Sequence, residues 1–142
     1  RIGEALFFGN DLFTNEPIEG MKTDVFRLYA EVIELTEKPV LPTGTLGQNV
    51  AGLTFESDEE DFSKTHYRAI VDIGLLDVQT EYLVPEDEKI SIAEASSDML
   101  VLDLGDSSNN YKVGDLISFH LKYMGALRLM NSDYIEKQVS TG

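Results

Sequence analysis

From Phe26 to Val32 apolar and polar side chains alternate residue by residue. Phe26, Leu28, Ala30 and Val32 fall on one side, and Arg27, Tyr29 and Glu31 on the other. Successive side chains of an extended chain point to opposite faces, so this stretch predicts a strand with one buried face. After Val32 the apolar parity moves to Ile33 and Leu35. A β-bulge produces such a shift, as does a strand buried on both faces further along. The alternation returns between His66 and Ile73, where Tyr67, Ala69, Val71 and Ile73 are spaced by two. Further strands are predicted over 89–94, 99–104, 116–123 and 134–139. The stretch Met99-Leu-Val-Leu-Asp-Leu104 is almost wholly apolar, as expected of an interior position in a sheet.

The connections carry turn chemistry. Asn10 to Lys22 holds Asn, Pro and Gly breakers and reads as a loop, Pro39, Pro42, Gly44 and Gly47 make a turn-rich link, and 112–115 (Lys-Val-Gly-Asp) reads as a turn. Ile2 to Phe8 fits a short strand or a helical turn, and 125–131 fits a short helix. Many short strands separated by turns predict a mostly β fold with little helix, a sandwich or an open barrel. The acidic run Glu56 to Asp61 reads as a solvated loop.

With 142 residues, 42% of them hydrophobic, the chain can bury one domain-sized core. A net charge of -15 repels nucleic-acid phosphates and anionic membrane surfaces, so neither is expected as a partner. No apolar run approaches the roughly 20 residues of a membrane span. There is no Cys, and His66 and His120 lie far apart, so no metal site is expected. No signal peptide is visible, which makes a soluble, reducing, cytoplasmic setting the expectation. The chain opens on Arg1 in structured-looking sequence, as a piece of a longer protein would. No phosphate-binding Gly-rich loop with its Lys and no Gly-x-Ser-x-Gly elbow occurs. Asp98 and Asp103 are five apart in an extended segment, hence on opposite faces, and form no carboxylate pair.

Five segments, in order, resemble the C-terminal part of alanine-racemase-type enzymes, most closely the branch that includes ornithine racemases. They are Arg-Ile-Gly-Glu-Ala-Leu at 1–6, Ala-Glu-Val-Ile-Glu at 30–34, Ala-Ser-Ser-Asp-Met-Leu-Val-Leu-Asp-Leu at 95–104, Lys-Val-Gly-Asp at 112–115 and Asn-Ser-Asp-Tyr-Ile-Glu-Lys at 131–137. The resemblance implies a pyridoxal 5'-phosphate (PLP) enzyme in which an α/β barrel, carrying the lysine that holds the cofactor, precedes a β-rich domain. Residues 1–14 would then end the barrel, and residues 15–142 would form the β domain. None of the seven lysines here matches the family's lysine motif. The cofactor would therefore sit on the barrel, and this piece alone would lack PLP and be inactive.

The same resemblance implies roles for individual residues. Arg1 matches the arginine that faces the PLP ring nitrogen. An arginine stays protonated and cannot give that nitrogen a proton, which weakens the ring as an electron sink and favours return of the α-proton. Gly3 and Glu4 match the pair whose backbone N–H groups approach the phosphate, and Tyr134 resembles a tyrosine that hydrogen-bonds it. Ser97 and Asp98 match a loop that enters the partner subunit's active site in a homodimer. There the Ser97 N–H would meet the substrate carboxylate, and Asp98 would help place a substrate ammonium.

Two departures bear on the substrate. Ala51, in Asn-Val-Ala-Gly-Leu-Thr-Phe at 49–55, falls where alanine racemase has its second base, a tyrosine. Leu75, in Ile-Gly-Leu-Leu-Asp at 73–77, replaces a tyrosine at the site entrance. Alanine has no proton to exchange. Racemisation of ornithine or another basic amino acid is therefore expected over that of alanine. A noncatalytic β-barrel binding module, or a PLP aldolase or dehydratase of the same fold, are the alternatives.

Overall fold

The computed structural model describes residues 3–14, 16–39, 65–105 and 110–140. Of the two options for the N-terminal apolar stretch, the helical one is realised. Helix α1 spans Glu4–Phe8 and stops at Gly9, which takes φ 67° and donates its backbone N–H to the Ala5 carbonyl. A left-handed residue is the ordinary terminator of a helix, and glycine adopts it without a Cβ clash.

Six antiparallel strands follow among the described residues. They are β1 (Arg27–Pro39), β2 (Thr65–Val71), β3 (Leu83–Pro85), β4 (Ser91–Ala95), β5 (Leu100–Asp103) and β6 (Leu116–Leu121). A 3-10 turn, Thr80–Tyr82, leads into β3, and helix α2 (Tyr123–Met130) follows β6. The strands form one sheet in the order β3-β6-β1-β2-β5-β4, an open barrel. The mostly β architecture expected from the alternation is the one observed.

Strand β1 is shared between two ladders. Its first half, Arg27 to Glu31, pairs with β6, and its second half, from Val32 onward, pairs with β2. The parity change is a bulge: the register with β2 shifts between Val32 and Glu34. Leu28, Ala30 and Val32 are buried, whereas Ile33 at the bulge turns outward. A second register shift lies between Ile92 and Glu94 on β4.

The inward faces meet in one core. Leu28 lies opposite Phe119, Ala30 opposite Ile117, Val32 opposite Val71, and Ala69 opposite Leu102. Phe119, Leu100, Leu102 and Leu104 are among the side chains fully removed from solvent. Helix α2 closes over this core through Leu129, with Ala126 also buried.

Two expectations are corrected. Residues 134–139 form no strand but an irregular, largely exposed segment, because apolar and polar side chains there do not alternate and so define no face to bury. Phe26 does not continue the buried face of β1. It precedes the strand and packs its ring on Phe8, with centroids 5.4 Å apart, and on Phe7 at 6.2 Å. The short β3 was not anticipated, since three residues are too few to show a period. The turn-rich link and the acidic run at 56–61 lie outside the described residues.

On the outer face, the Ser118 hydroxyl donates to Glu86 at 2.6 Å, and Arg27 approaches the other carboxylate oxygen at 3.2 Å. The hydroxyl first, and the guanidinium after it, hold the Glu86 carboxyl below the usual range. A carboxylate lowered in the folded state stabilises the fold above its unfolded pKa of about 4.3, and loses that contribution as pH falls through the folded value. Glu86→Gln should therefore lower Tm slightly at pH 7, with the difference from wild type closing below about pH 4. Thermal unfolding of both proteins across that range checks this; a difference equal at both ends would contradict it.

Candidate functional site

The loop between β4 and β5 carries Ser97 and Asp98. Its ends are set by the ladder, Ala95 lying opposite Leu100. Ser96 closes it: the Ser96 N–H donates to the Met99 carbonyl at 2.8 Å, and the Ser96 hydroxyl accepts from the Met99 N–H at 3.1 Å. Serine is favoured in such turns because its hydroxyl substitutes for a backbone partner. At the tip the Ser97 hydroxyl donates to Asp98 Oδ2 at 2.8 Å. Both side chains are exposed. The tip thus presents an oriented carboxylate, suited to a cation, beside backbone amides suited to an anion.

A second turn, 74–77, lies against the back of this loop. The N–H groups of Leu75 and Leu76 donate to the carbonyls of Ser96 and Ser97, each at 2.9 Å. The approach is close enough to require glycine at position 74. A Cβ there would stand 2.5 Å from the Asp98 carbonyl carbon and from the Met99 nitrogen, and would press on the Ser97 carbonyl oxygen. The turn is also tied internally, by the Asp77 N–H to the Gly74 carbonyl at 3.0 Å and by the Gly74 N–H to Asp77 Oδ2 at 3.3 Å.

Helix α2 holds the turn from its other side. Arg128 donates from Nε to the Asp77 carbonyl and from Nη2 to the Leu76 carbonyl, both at 3.0 Å. The helix is itself seated by Gly125. A Cβ at that position would come within 2.9 Å of Tyr82 Cβ, and the Lys122 N–H donates to the Tyr82 carbonyl at 2.9 Å.

Another part of α2 faces α1. Between the two helices lies an apolar cavity of about 270 Å³, lined by Gly3, Phe7, Phe26, Tyr123, Leu127 and Met130 among others. Phe7, Leu127 and Met130 are each more than two-fifths exposed. Phe13, in the loop that follows α1, is 99% exposed, which is unusual for so large an apolar side chain.

The site residues expected from sequence are distributed accordingly. Gly3 is the N-cap of α1 and Glu4 its first residue. Nothing stands within 4 Å of where a Gly3 Cβ would be, so its backbone is open to approach. Ser97 and Asp98 are at the loop tip. Tyr134 lies beyond the end of α2 and is 95% exposed. Its N–H donates to the Ser132 hydroxyl at 3.3 Å, and nearby the Lys137 ammonium donates to the Ser132 carbonyl. Leu75 sits half-buried in the bracing turn. Arg1 and Ala51 lie outside the described residues. Helix α2 is the element that contacts both the Gly3 region and, through Arg128, the support of the Ser97 loop.

Gly74 and Arg128 carried no signal that marked them as functional. A glycine inside an apolar stretch signals a close backbone approach, but not to what. An arginine in a helix's last turn is an ordinary surface residue until its acceptors are seen. No group of three or more potential metal ligands occurs among the described residues. None of the helices there is long and apolar enough to cross a membrane.

Among curated proteins, the chain is similar to ornithine racemase of Acetoanaerobium sticklandii, with 40% identity over 139 residues, 98% of this chain and 38% of that protein. It is similar to lysine racemase of Thermotoga maritima, with 37% identity over 137 residues, 96% of this chain and again 38% of the relative. The chain thus spans less than two-fifths of the length of the curated relatives it matches. No protein-family model and no solved structure matches it.

Proposed function

Because the chain belongs to the alanine/ornithine racemase family, as a homologue of its C-terminal domain, we propose that it is the β domain of a PLP-dependent racemase of basic amino acids. The observation that carries this reading is near-complete coverage of the chain by two racemases named for ornithine and lysine, amino acids that both bear a second amino group. Neither relative is an aldolase, a dehydratase or a noncatalytic module. The remainder of the protein would be the barrel, with residues 1–14 its last part. The exposed apolar groove between α1 and α2 supports such a neighbour, since uncovered apolar surface of this kind marks an interface.

The cofactor would be held mainly by the barrel. From this chain the backbone at Gly3 and Glu4 and the hydroxyl of Tyr134 would reach its phosphate, and Arg1 its ring nitrogen. The open space at Gly3 and the exposed ring of Tyr134 fit groups that complete a pocket rather than enclose one. When bound, PLP supplies the electron-withdrawing system that acidifies the substrate's α C–H. The protein's own part is to orient the amino acid so that the proton leaves one face and returns to the other.

In this scheme the loop 96–99 crosses to the second subunit of a homodimer. The Ser97 N–H holds the substrate carboxylate, and Asp98, steadied by the Ser97 hydroxyl, receives the distal ammonium. A net charge of -15 suits cationic substrates, because a negative surface raises their local concentration and their encounter rate. The cytoplasm is the compartment in which we place this reaction.

Two measurements on the full-length protein test the proposal. Chiral analysis after incubation with L-ornithine, L-lysine and L-alanine should show the D-enantiomers of the diamino acids. Turnover of alanine alone, or of none, would refute the reading. Asp98→Asn should raise KM for ornithine about tenfold, equivalent to about 1.4 kcal/mol of lost charge-assisted binding. An unchanged KM would remove Asp98 from the site.

A further inference from the structure

We infer that Arg128 is a positioning residue for substrate carboxylate binding, acting on the loop 96–99 through the turn 74–77. The inference rests on the proposed function for the loop's role, but the mechanical connection stands on the geometry alone.

Every link is a pair of hydrogen bonds. The two adjacent donors of the Arg128 fork take the carbonyls of consecutive residues, Leu76 and Asp77, both at 3.0 Å. A planar guanidinium fixes the relative orientation of two acceptors, which a single ammonium cannot do. The same turn directs two consecutive N–H groups, of Leu75 and Leu76, onto two consecutive carbonyls, of Ser96 and Ser97. Those carbonyls belong to the two peptide units that carry the Ser97 and Asp98 N–H groups, so their direction fixes where those amides point. Leu76 takes part in both links: its carbonyl faces the arginine and its N–H faces Ser97.

Arg128 is exposed and lies outside the core cluster, so its removal leaves the packed interior intact. What it changes is the freedom of the turn. Without the fork, the Leu76 and Asp77 carbonyls return to water and the turn can rock on its Gly74 end. The Ser96–Met99 closure, no longer braced from behind, then opens more often, and the loop tip moves. Binding of a carboxylate by a preorganised amide depends steeply on such placement.

The experiment compares full-length wild type, Arg128→Ala and Arg128→Lys. Amide hydrogen exchange over the segment 94–101 is followed by mass spectrometry, together with ornithine racemisation kinetics and thermal unfolding. In Arg128→Ala, exchange at the loop should speed up at least tenfold. KM for ornithine should rise about fivefold with kcat changed less than twofold, and the unfolding transition should stay cooperative. Arg128→Lys should recover only part of the protection, because one ammonium cannot hold both carbonyls in the fork's geometry. If loop exchange in Arg128→Ala equals that of wild type, the inference fails, while the racemase reading survives as long as wild type turns over ornithine. If wild type racemises nothing, the racemase reading fails, and the exchange data still decide whether Arg128 holds the loop. Equal losses in kcat and in thermal stability, with KM unchanged, would make Arg128 a general structural residue and overturn its positioning role.

Discussion

Replacing Phe119 by alanine should cost about 3–5 kcal/mol of folding stability. Among the described residues, Phe119 is the largest of the side chains that are wholly buried, and it lies opposite Leu28 on β1 and Pro85 on β3. It therefore fills the place where three strands meet. Truncation loses both the transfer free energy of the ring and the packing of a cavity that strands on both sides prevent from collapsing. Since domains of this kind are stable by only about 5–15 kcal/mol, the variant would lie close to the folding threshold. Urea unfolding checks this. The midpoint should fall sharply with an unchanged m-value, because the same surface is exposed on unfolding. A loss below about 1 kcal/mol would mean that the site repacks, and that β3 is not held by β6 in solution.

Gly74→Ala should cost about 1–3 kcal/mol or more, although it adds only a methyl group. The atoms it would strike are main-chain atoms of Ser97, Asp98 and Met99, which cannot rotate away as a flexible side chain would. Relief requires the turn 74–77 to separate from the loop, at the expense of the Leu75 and Leu76 hydrogen bonds to Ser96 and Ser97. In a domain of this size, each kcal/mol lowers Tm by roughly 2–8 °C. A drop of several degrees is expected, with faster amide exchange concentrated at 73–78 and 96–99. An unperturbed Tm would show that the two turns are further apart than 2.5 Å contacts allow.

The alternation of Leu28, Ala30 and Val32, and of Tyr67, Ala69 and Val71, disclosed the two longest strands, because a half-buried strand must repeat every second residue. It also offered the bulge as one of two readings of the parity change, since one inserted residue reverses every later position, and the register between Val32 and Glu34 decides for it. The short edge strand β3 escaped for the same reason, since it offers only three residues, and 134–139, expected as a strand, has no alternating face to bury. The helical turn 4–8 could not be separated from a strand by so short an apolar run. At the candidate site, Ser97 and Asp98 were reached only through resemblance, as two polar residues in a turn do not distinguish a ligand contact from a cap. Gly74 and Arg128 were invisible, since what matters about them is the partner brought near from another part of the chain.

The divided loyalty of β1 has a consequence for how the chain acquires its shape. One strand serves as the seam of both half-sheets: its leading residues wait for β6, near the far end of the chain, and its trailing residues wait for β2. Joining Leu28 to Phe119 demands closure of a very long loop before any of the interior is sealed, an entropic toll that local hairpins such as β4–β5 do not face. Assembly should accordingly be slow and all-or-none, with the β4–β5 hairpin forming early and the β1–β6 ladder last.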